Sequence, residues 1–192
     1  MDDAGGDFDL GGSVLVPHLW DGPVGVEMGR LIMQLPYTKN CFVCGAHNPH
    51  GLGLRFRQVG DEVHADFTPA AQHAGFRDLV HGGIISTALD EAMFWVAACR
   101  QKRFCLAAEL NVRFVRKVAV GQPVLLVAKF VADRRRVWES SAELRDAAGV
   151  VLAIATCKQM PLDVPAMRHA AEDFLPDQTT AEAMKLFAGI LT

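Results

Sequence analysis

Residues 82 to 102 constrain this chain more than any other stretch. Gly82 and Gly83 open it, and Ala92, Met93, Phe94, Trp95, Val96, Ala97, Ala98 and Cys99 carry it on with apolar side chains at every angle of a helical wheel. A helix of that kind must be surrounded, so the rest of the fold has to wrap it. Asp90 and Glu91 are its only charges before Arg100. Glycine is a poor residue for a helix interior, but in the first turn it leaves unpaired backbone N–H groups open to close approach by a polarised oxygen.

The flanking segments supply a wrapper. Leu52, Leu54 and Phe56 alternate with Gly53, Arg55 and Arg57, and Val63, Ala65 and Phe67 answer them across a turn at Gly60-Asp61, which reads as a β-hairpin. After the helix, strand-like runs are predicted over 104–115, 124–132, 137–145 and 150–160, with turns at Gly121-Gln122-Pro123, Asp133-Arg134 and Asp146 to Gly149. Two strands, one buried helix and four strands give an α+β fold in which an antiparallel sheet curls around one long central helix.

Upstream, Val24 to Leu35 has a roughly helical spacing stopped by Pro36, and residues 1 to about 22 read as a loose arm rich in glycine and acid. Downstream, Thr179 or Thr180 is the expected N-cap of an amphipathic helix over 181–191, which could cover an edge strand, a subunit contact or its own sheet. The reading divides the chain into an N-terminal arm (1–36), a central domain (37–161) and a C-terminal tail with a short helix (162–192).

Composition excludes several functions. In 192 residues the formal net charge is −3 and no Lys/Arg stripe occurs, so no nucleic-acid partner is expected. No apolar run is long enough to span a bilayer, and the acidic, glycine-rich start lacks the features of a secretory signal. Five cysteines, an odd number, point with that start to reduced thiols and a cytoplasmic location.

Val80-His81-Gly82-Gly83, Asp90 nine residues after His81, and Glu109-Leu110-Asn111-Val112-Arg113-Phe114 with Gly121 closing its turn together resemble the hotdog-fold acyl-CoA thioesterases, in particular the phenylacetate-pathway type. Cys41-Phe42-Val43-Cys44-Gly45 with Asn48-Pro49 and Gly51-Leu52 is similar to a lead-in of one bacterial branch, so the resemblance covers residues 41–160. It implies a hotdog fold and hydrolysis of a small or medium acyl-CoA without a cofactor. It further implies that the Gly82 backbone N–H faces the thioester oxygen and that Asp90 is general base or nucleophile, with Val80 and Gly83 flanking the substrate. His81 is counted with this catalytic turn, as the residue that fixes it rather than as the base.

Gly82 and Asp90 are ~12 Å apart along a helix axis, too far for one thioester to touch both easily. Two helices side by side and antiparallel across a two-fold axis would bring Gly82 of one copy to Asp90 of the other, so a homodimer, or a homotetramer built as a dimer of dimers, is expected. Two positions depart from the family pattern. Ala107 stands where a Ser or Thr hydroxyl often holds water, and Gly75 stands where some relatives carry Asn or Gln, leaving Gln72 or His73 as substitutes.

Other residues admit two readings. Asp90 could pair with Arg113 instead of acting in catalysis. Glu91, about 100° round the helix from Asp90, reads as a paired or interface residue with the acting base as its alternative. Glu109 and Asn111 share one strand face and either line the substrate pocket or lie on an open face. Met93, Phe94 and Trp95 read as core or dimer contacts, and Arg134-Arg135-Arg136 as a solvated hairpin tip, with coenzyme A phosphates the alternative. Cys41, Cys44, His47 and His50 are residue types that zinc accepts, but they are too tightly spaced for a closed four-ligand site, so no metal is expected. An acyl-CoA or aromatic-ligand binding protein without turnover is the alternative function.

Overall fold

A computed structural model describes residues 24–27 and 29–191. Along them run β1 (Val24–Glu27), β2 (Arg30–Gln34), β3 (Arg57–Val59), β4 (Glu62–Phe67), β5 (Ala74–Phe76), β6 (Leu79–Val80), α1 (Gly82–Gln101), β7 (Cys105–Phe114), β8 (Val124–Asp133), β9 (Trp138–Asp146), β10 (Val151–Pro161), α2 (Val164–Ala171), α3 (Gln178–Met184) and α4 (Ala188–Leu191). Eight strands make one antiparallel sheet in the order β1-β2-β3-β4-β8-β9-β10-β7, while β5 and β6 form a separate hairpin leading into α1. The sheet wraps α1, which packs against β4, β7, β8, β9 and β10. This is the hotdog arrangement.

The wrap follows from the two periodicities. Val63, Ala65 and Phe67 on β4, Leu126 and Ala128 on β8, and Ala142 and Leu144 on β9 point inward. They meet Ala88, Leu89, Ala92, Met93, Val96 and Cys99 of α1 in one core. Lys102 ends the helix in the left-handed conformation at φ 56°. Among the described residues no helix is long and apolar enough to cross a membrane.

Three expectations need correction. The stretch from Val24 to Leu35 is not helical: it contributes β1 and β2, with Gly29 at φ +77° turning the chain between them. Pairing of β2 with β3 outweighs a loose helical spacing there. The strand read from Leu52 to Arg57 joins the sheet ladder only at β3, because Leu52 N–H and Leu54 N–H donate to Phe42 O and Val43 O. Leu54 and Phe56 are nevertheless buried, as their alternation requires.

In the tail, Pro165 does not interrupt structure. It sits in the first turn of α2, where a missing N–H costs nothing, behind the N-cap Asp163. The N-cap of α3 is Asp177, whose Oδ1 accepts from Thr180 N–H at 2.7 Å, rather than Thr179 or Thr180. The tail folds back onto the domain. Met167, Phe174 and Phe187 enter the core beside Trp95 and Phe104, Tyr37 OH donates to Asp177 at 2.5 Å, and Lys39 N–H donates to Asp173 O. The loose arm expected over residues 1 to 22 lies outside the described residues.

Candidate functional site

The start of α1 is built to leave one donor free. His81 is its N-cap, and its Nδ1 accepts the Gly83 N–H at 2.9 Å. The turn is held from two sides: His81 N–H donates to His73 O, just before β5, and Val80 N–H of β6 donates to Val118 O, beyond β7. Gly83 N–H is thus engaged, whereas Gly82 N–H makes no hydrogen bond among the described residues. A Cβ on Gly82 would lie 3.0 Å from Phe114 Cζ, so glycine is what lets β7 approach so closely. A cavity of about 450 Å³ opens there, lined by Gly75, Phe76, Leu79, Val80, His81, Gly82, Ile85, Phe114 and residues 116–118.

Two turns along, Asp90 faces a second cavity of about 290 Å³, walled by the rings of Phe94, Trp95, Phe104 and Phe174 and reached by Thr38, Cys41, Glu91, Ala107 and Gln159. Burial pushes the Asp90 carboxyl above its ordinary value. The Cys157 thiol approaches Asp90 Oδ1 at 4.0 Å, and burial with the Asp90 charge raises that thiol to about 12. Among the described residues no ion pair joins Asp90 to Arg113 or to another cation.

Glu91 points elsewhere, as the rotation per residue requires. Its carboxylate gathers with the Cys41 and Cys44 thiols, the three ligand atoms lying within 4.8 Å of one another. Burial, then the Cys41 charge, raises Glu91 to about 7. The pair of thiols is polarised. Cys41 is lowered, chiefly by the Cys44 thiol donating to it, and Cys44 is raised, chiefly because it gives that hydrogen bond. Trp95 Nε1 is buried without a well-formed hydrogen bond, yet its N–H pole draws the Glu91 carboxyl down.

Both cavities lie along the groove between α1 and β7: Phe114 at one end of the strand touches the Gly82 turn, and Cys105, Leu106 and Ala107 at the other line the Asp90 cavity. A shift of register opposite Lys158 and Gln159 skips Ala108 and re-aims the strand beside that cavity. Among the described residues β7 is also the last strand of the sheet, with its outer edge unpaired. Eight of its ten residues are exposed, among them Leu106, Leu110 and Phe114.

The remaining sequence-derived residues divide. Val80, His81 and Gly82 share one cavity and Asp90 occupies the other, while Gly83 is tied into the cap. Glu109 and Asn111 line neither: they are exposed, with Glu109 accepting from Asn111 Nδ2 and Lys158 Nζ, each at 2.8 Å. Met93 and Trp95 are buried core, Phe94 lines the Asp90 cavity, and Arg134 pairs loosely with Glu139 at 3.6 Å. Ala107 does line the cavity without offering a hydroxyl. His73 is buried, its Nδ1 accepting from Ala70 N–H. Sequence reasoning missed Thr38, Gln159, Cys157 and the tail residues Ala170, Asp173 and Phe174 around Asp90. Only the buried Gln159, which accepts from Ser140 Oγ at 2.9 Å, carried a signal, a polar residue at an inward strand position.

The family model described as the thioesterase superfamily matches residues 78–153, the segment running from the glycine turn through β7 to β10. Among solved structures, a thioesterase superfamily protein superposes with a TM-score of 0.59 at 21% identity, over 62% of this chain and 59% of its own. The match therefore spans about three fifths of that protein. The PaaI protein of the E. coli phenylacetic acid degradation operon gives 0.53 at 18% identity, over 58% of this chain and 80% of its own. A putative thioesterase of Ralstonia eutropha, described as phenylacetic acid degradation-related, gives 0.52 at 23%, over 57% and 85%. No curated protein matches the chain.

Proposed function

We propose that the chain, which is similar over residues 78–153 to the thioesterase superfamily and has the hotdog fold, hydrolyses the thioester of a small or medium acyl-CoA at a site shared by two copies. One observation carries the reading: a free backbone donor at Gly82 and a desolvated carboxylate at Asp90 sit on one helix, along one groove, but in two separate cavities. Neither cavity alone holds both groups that acyl transfer needs. Antiparallel pairing of β7 with β7 of a second copy would place the two α1 helices antiparallel, and would bring each Gly82 turn toward the other copy's Asp90.

In that assembly the thioester carbonyl oxygen accepts from Gly82 N–H, where negative charge develops as the carbon becomes tetrahedral. Asp90 takes a proton from water as the water oxygen attacks the carbonyl carbon; alternatively its carboxylate attacks and water opens the resulting anhydride. In the first route the tetrahedral intermediate collapses with cleavage of the C–S bond, and in the second that cleavage is what forms the anhydride before water opens it; in both, coenzyme A leaves as a thiolate. His81 works through its grip on Gly83 and touches no reacting atom. The ring-lined cavity beside Asp90, at about 290 Å³, suits a compact acyl group. The hydrolysis so written draws only on this chain's own groups and water, and a cytoplasmic location is expected.

Thiol release from a panel of acyl-CoAs tests the reading. Turnover by the parent protein, falling about 10²- to 10⁴-fold in Asp90→Asn with the fold intact, is the expected result. Activity surviving the change would move the base to another group, Glu91 first. Ala107 favours a second reading, an acyl-CoA binding protein without turnover, since β7 brings no hydroxyl to hold water. Saturable binding with no thiol released would establish it.

A further inference from the structure

Cys41 to Gly45 is folded as a chelating turn. Val43 N–H donates to Cys41 Sγ at 3.2 Å, Gly45 N–H closes back on Cys41 O at 2.9 Å, and Cys41 N–H is fixed by Thr38 Oγ1 at 3.0 Å. Only glycine permits so tight a curl: a Cβ on Gly45 would fall 2.3 Å from Cys41 O and 2.6 Å from Cys41 N. The turn aims both sulfurs at one point, and a residue from a distant element meets them there, the Glu91 carboxylate of α1. Cys44 is buried, Cys41 and Glu91 open on the Asp90 cavity, and Arg55 Nη1 donates to Cys44 O at 2.8 Å, bringing positive charge to the outside of the turn.

From this geometry we infer that Cys41 Sγ, Cys44 Sγ and a Glu91 oxygen bind one Zn²⁺, with its fourth position facing the cavity that Asp90 lines. Two sulfurs and a carboxylate are donors that zinc accepts together, and three protein ligands with one open position is an arrangement zinc adopts. On binding, the two thiols release their protons to solvent and Glu91 coordinates as a carboxylate, leaving one net negative charge beside Arg55. Trp95 Nε1 supplies a donor for the second Glu91 oxygen, the kind of outer contact that orients a metal ligand. The site is not the Cys-Cys-His-His set, whose spacing is too tight for four ligands and led to the expectation of no metal. His47 and His50 are exposed and outside the cluster; the third ligand comes from the helix.

The full chain, purified without a histidine tag from zinc-containing medium, should carry about one zinc per chain by elemental mass spectrometry. Stripped of metal under reducing, anaerobic conditions and titrated with Co²⁺, it should develop a near-ultraviolet thiolate-to-cobalt charge-transfer band with the visible bands of a four-coordinate ion, saturating at about one equivalent. Cys41→Ser and Cys44→Ser should abolish the charge-transfer band or halve it. Glu91→Gln should keep it but weaken Co²⁺ binding by about tenfold or more. A His47→Ala/His50→Ala double variant should match the parent. The inference is overturned if the reduced parent takes up neither metal, a result that needs no variant to fold. It is equally overturned if metal binding follows the two histidines, or if Cys41 and Cys44 prove to be a disulfide whose reduction restores no uptake.

Discussion

The sheet ends in two different ways. On one side the last strand among the described residues, β1, is four residues long and pairs with a β2 of five. On the other side β7 runs for ten residues, with its outer backbone groups unpaired and Leu106, Leu110 and Phe114 exposed along it. Short edges are the usual protection against unwanted strand addition, while a long apolar edge invites a partner. The groove holding the Gly82 turn and Asp90 runs beside the long edge. In the proposed enzyme, therefore, the unprotected edge and the incomplete site are one feature, and a second copy completes both.

The largest expected effect comes from charging that edge. Leu110→Lys should convert a dimer to a monomer in sedimentation velocity, and should lower thiol release by about 100-fold or more, because each site loses the donor or carboxylate supplied across the two-fold. The same change at Leu31 on β2, 61% exposed, should alter neither quantity. A monomer that retains full activity would break the link between edge and site.

A smaller effect separates the two glycines that open α1. In Gly82→Ala the new methyl meets Phe114 Cζ at 3.0 Å, the far end of a ring that can turn, so stability should change by less than about 0.5 kcal/mol. Substrate approach to the free N–H is obstructed, and activity should drop about tenfold or more. In Gly83→Ala the methyl would lie 2.9 Å from His81 Nδ1 and disturb the cap, costing about 1 kcal/mol of stability. Denaturant midpoints measured beside thiol release check both. Equal loss of activity with no loss of stability in the two variants would contradict the distinction between a free and an engaged donor.

How much of this was legible in the sequence depended on range. The apolar helix, its glycine opening and the four strands after it were read closely, because period, turns and caps are local and agree with one another. β1 and β2 were read as a helix, since five or six apolar residues fit either period and the deciding contact is pairing with β3. The tail was read only as a capped helix, since the chain gives no sign that Phe174 and Phe187 stack on Trp95 and Phe104. Within the site, Asp90 and Gly82 stood out as local anomalies, a charge in an oily helix and two glycines at its start. Thr38 and Cys41, in the segment between β2 and β3, and Gln159, on β10, did not, because they reach the Asp90 cavity from parts of the chain distant from α1. Glu91 illustrates both sides: its rotation away from Asp90 followed from helix geometry, but its meeting with Cys41 and Cys44 required the fold.

The smallest effect tests the protected side of the sheet. There Glu62 on β4 gathers His64 of the same strand at 2.8 Å, Lys129 of β8 at 3.0 Å and Arg30 of β2 at 3.6 Å, whereas β7 is tied to β10 by the surface Glu109–Lys158 pair. Burial alone would raise the Glu62 carboxyl, but the hydrogen bonds from His64 and Lys129 outweigh it and hold the group below its ordinary value of 4.5. A carboxyl lowered by folding stabilises the native state at pH above its unfolded value, and that contribution fades as pH falls through the folded one. With Lys129 and Arg30 more than half exposed to solvent, the contribution at neutral pH is under about 1 kcal/mol. Glu62→Gln should therefore lower Tm slightly at pH 7, and the difference from the parent should close as pH falls below the ordinary carboxylate value of 4.5. A gap that widens on acidification instead would mean that the burial penalty on the carboxylate exceeds its pairing, and that this side of the sheet owes its hold to packing and short strands rather than to charge.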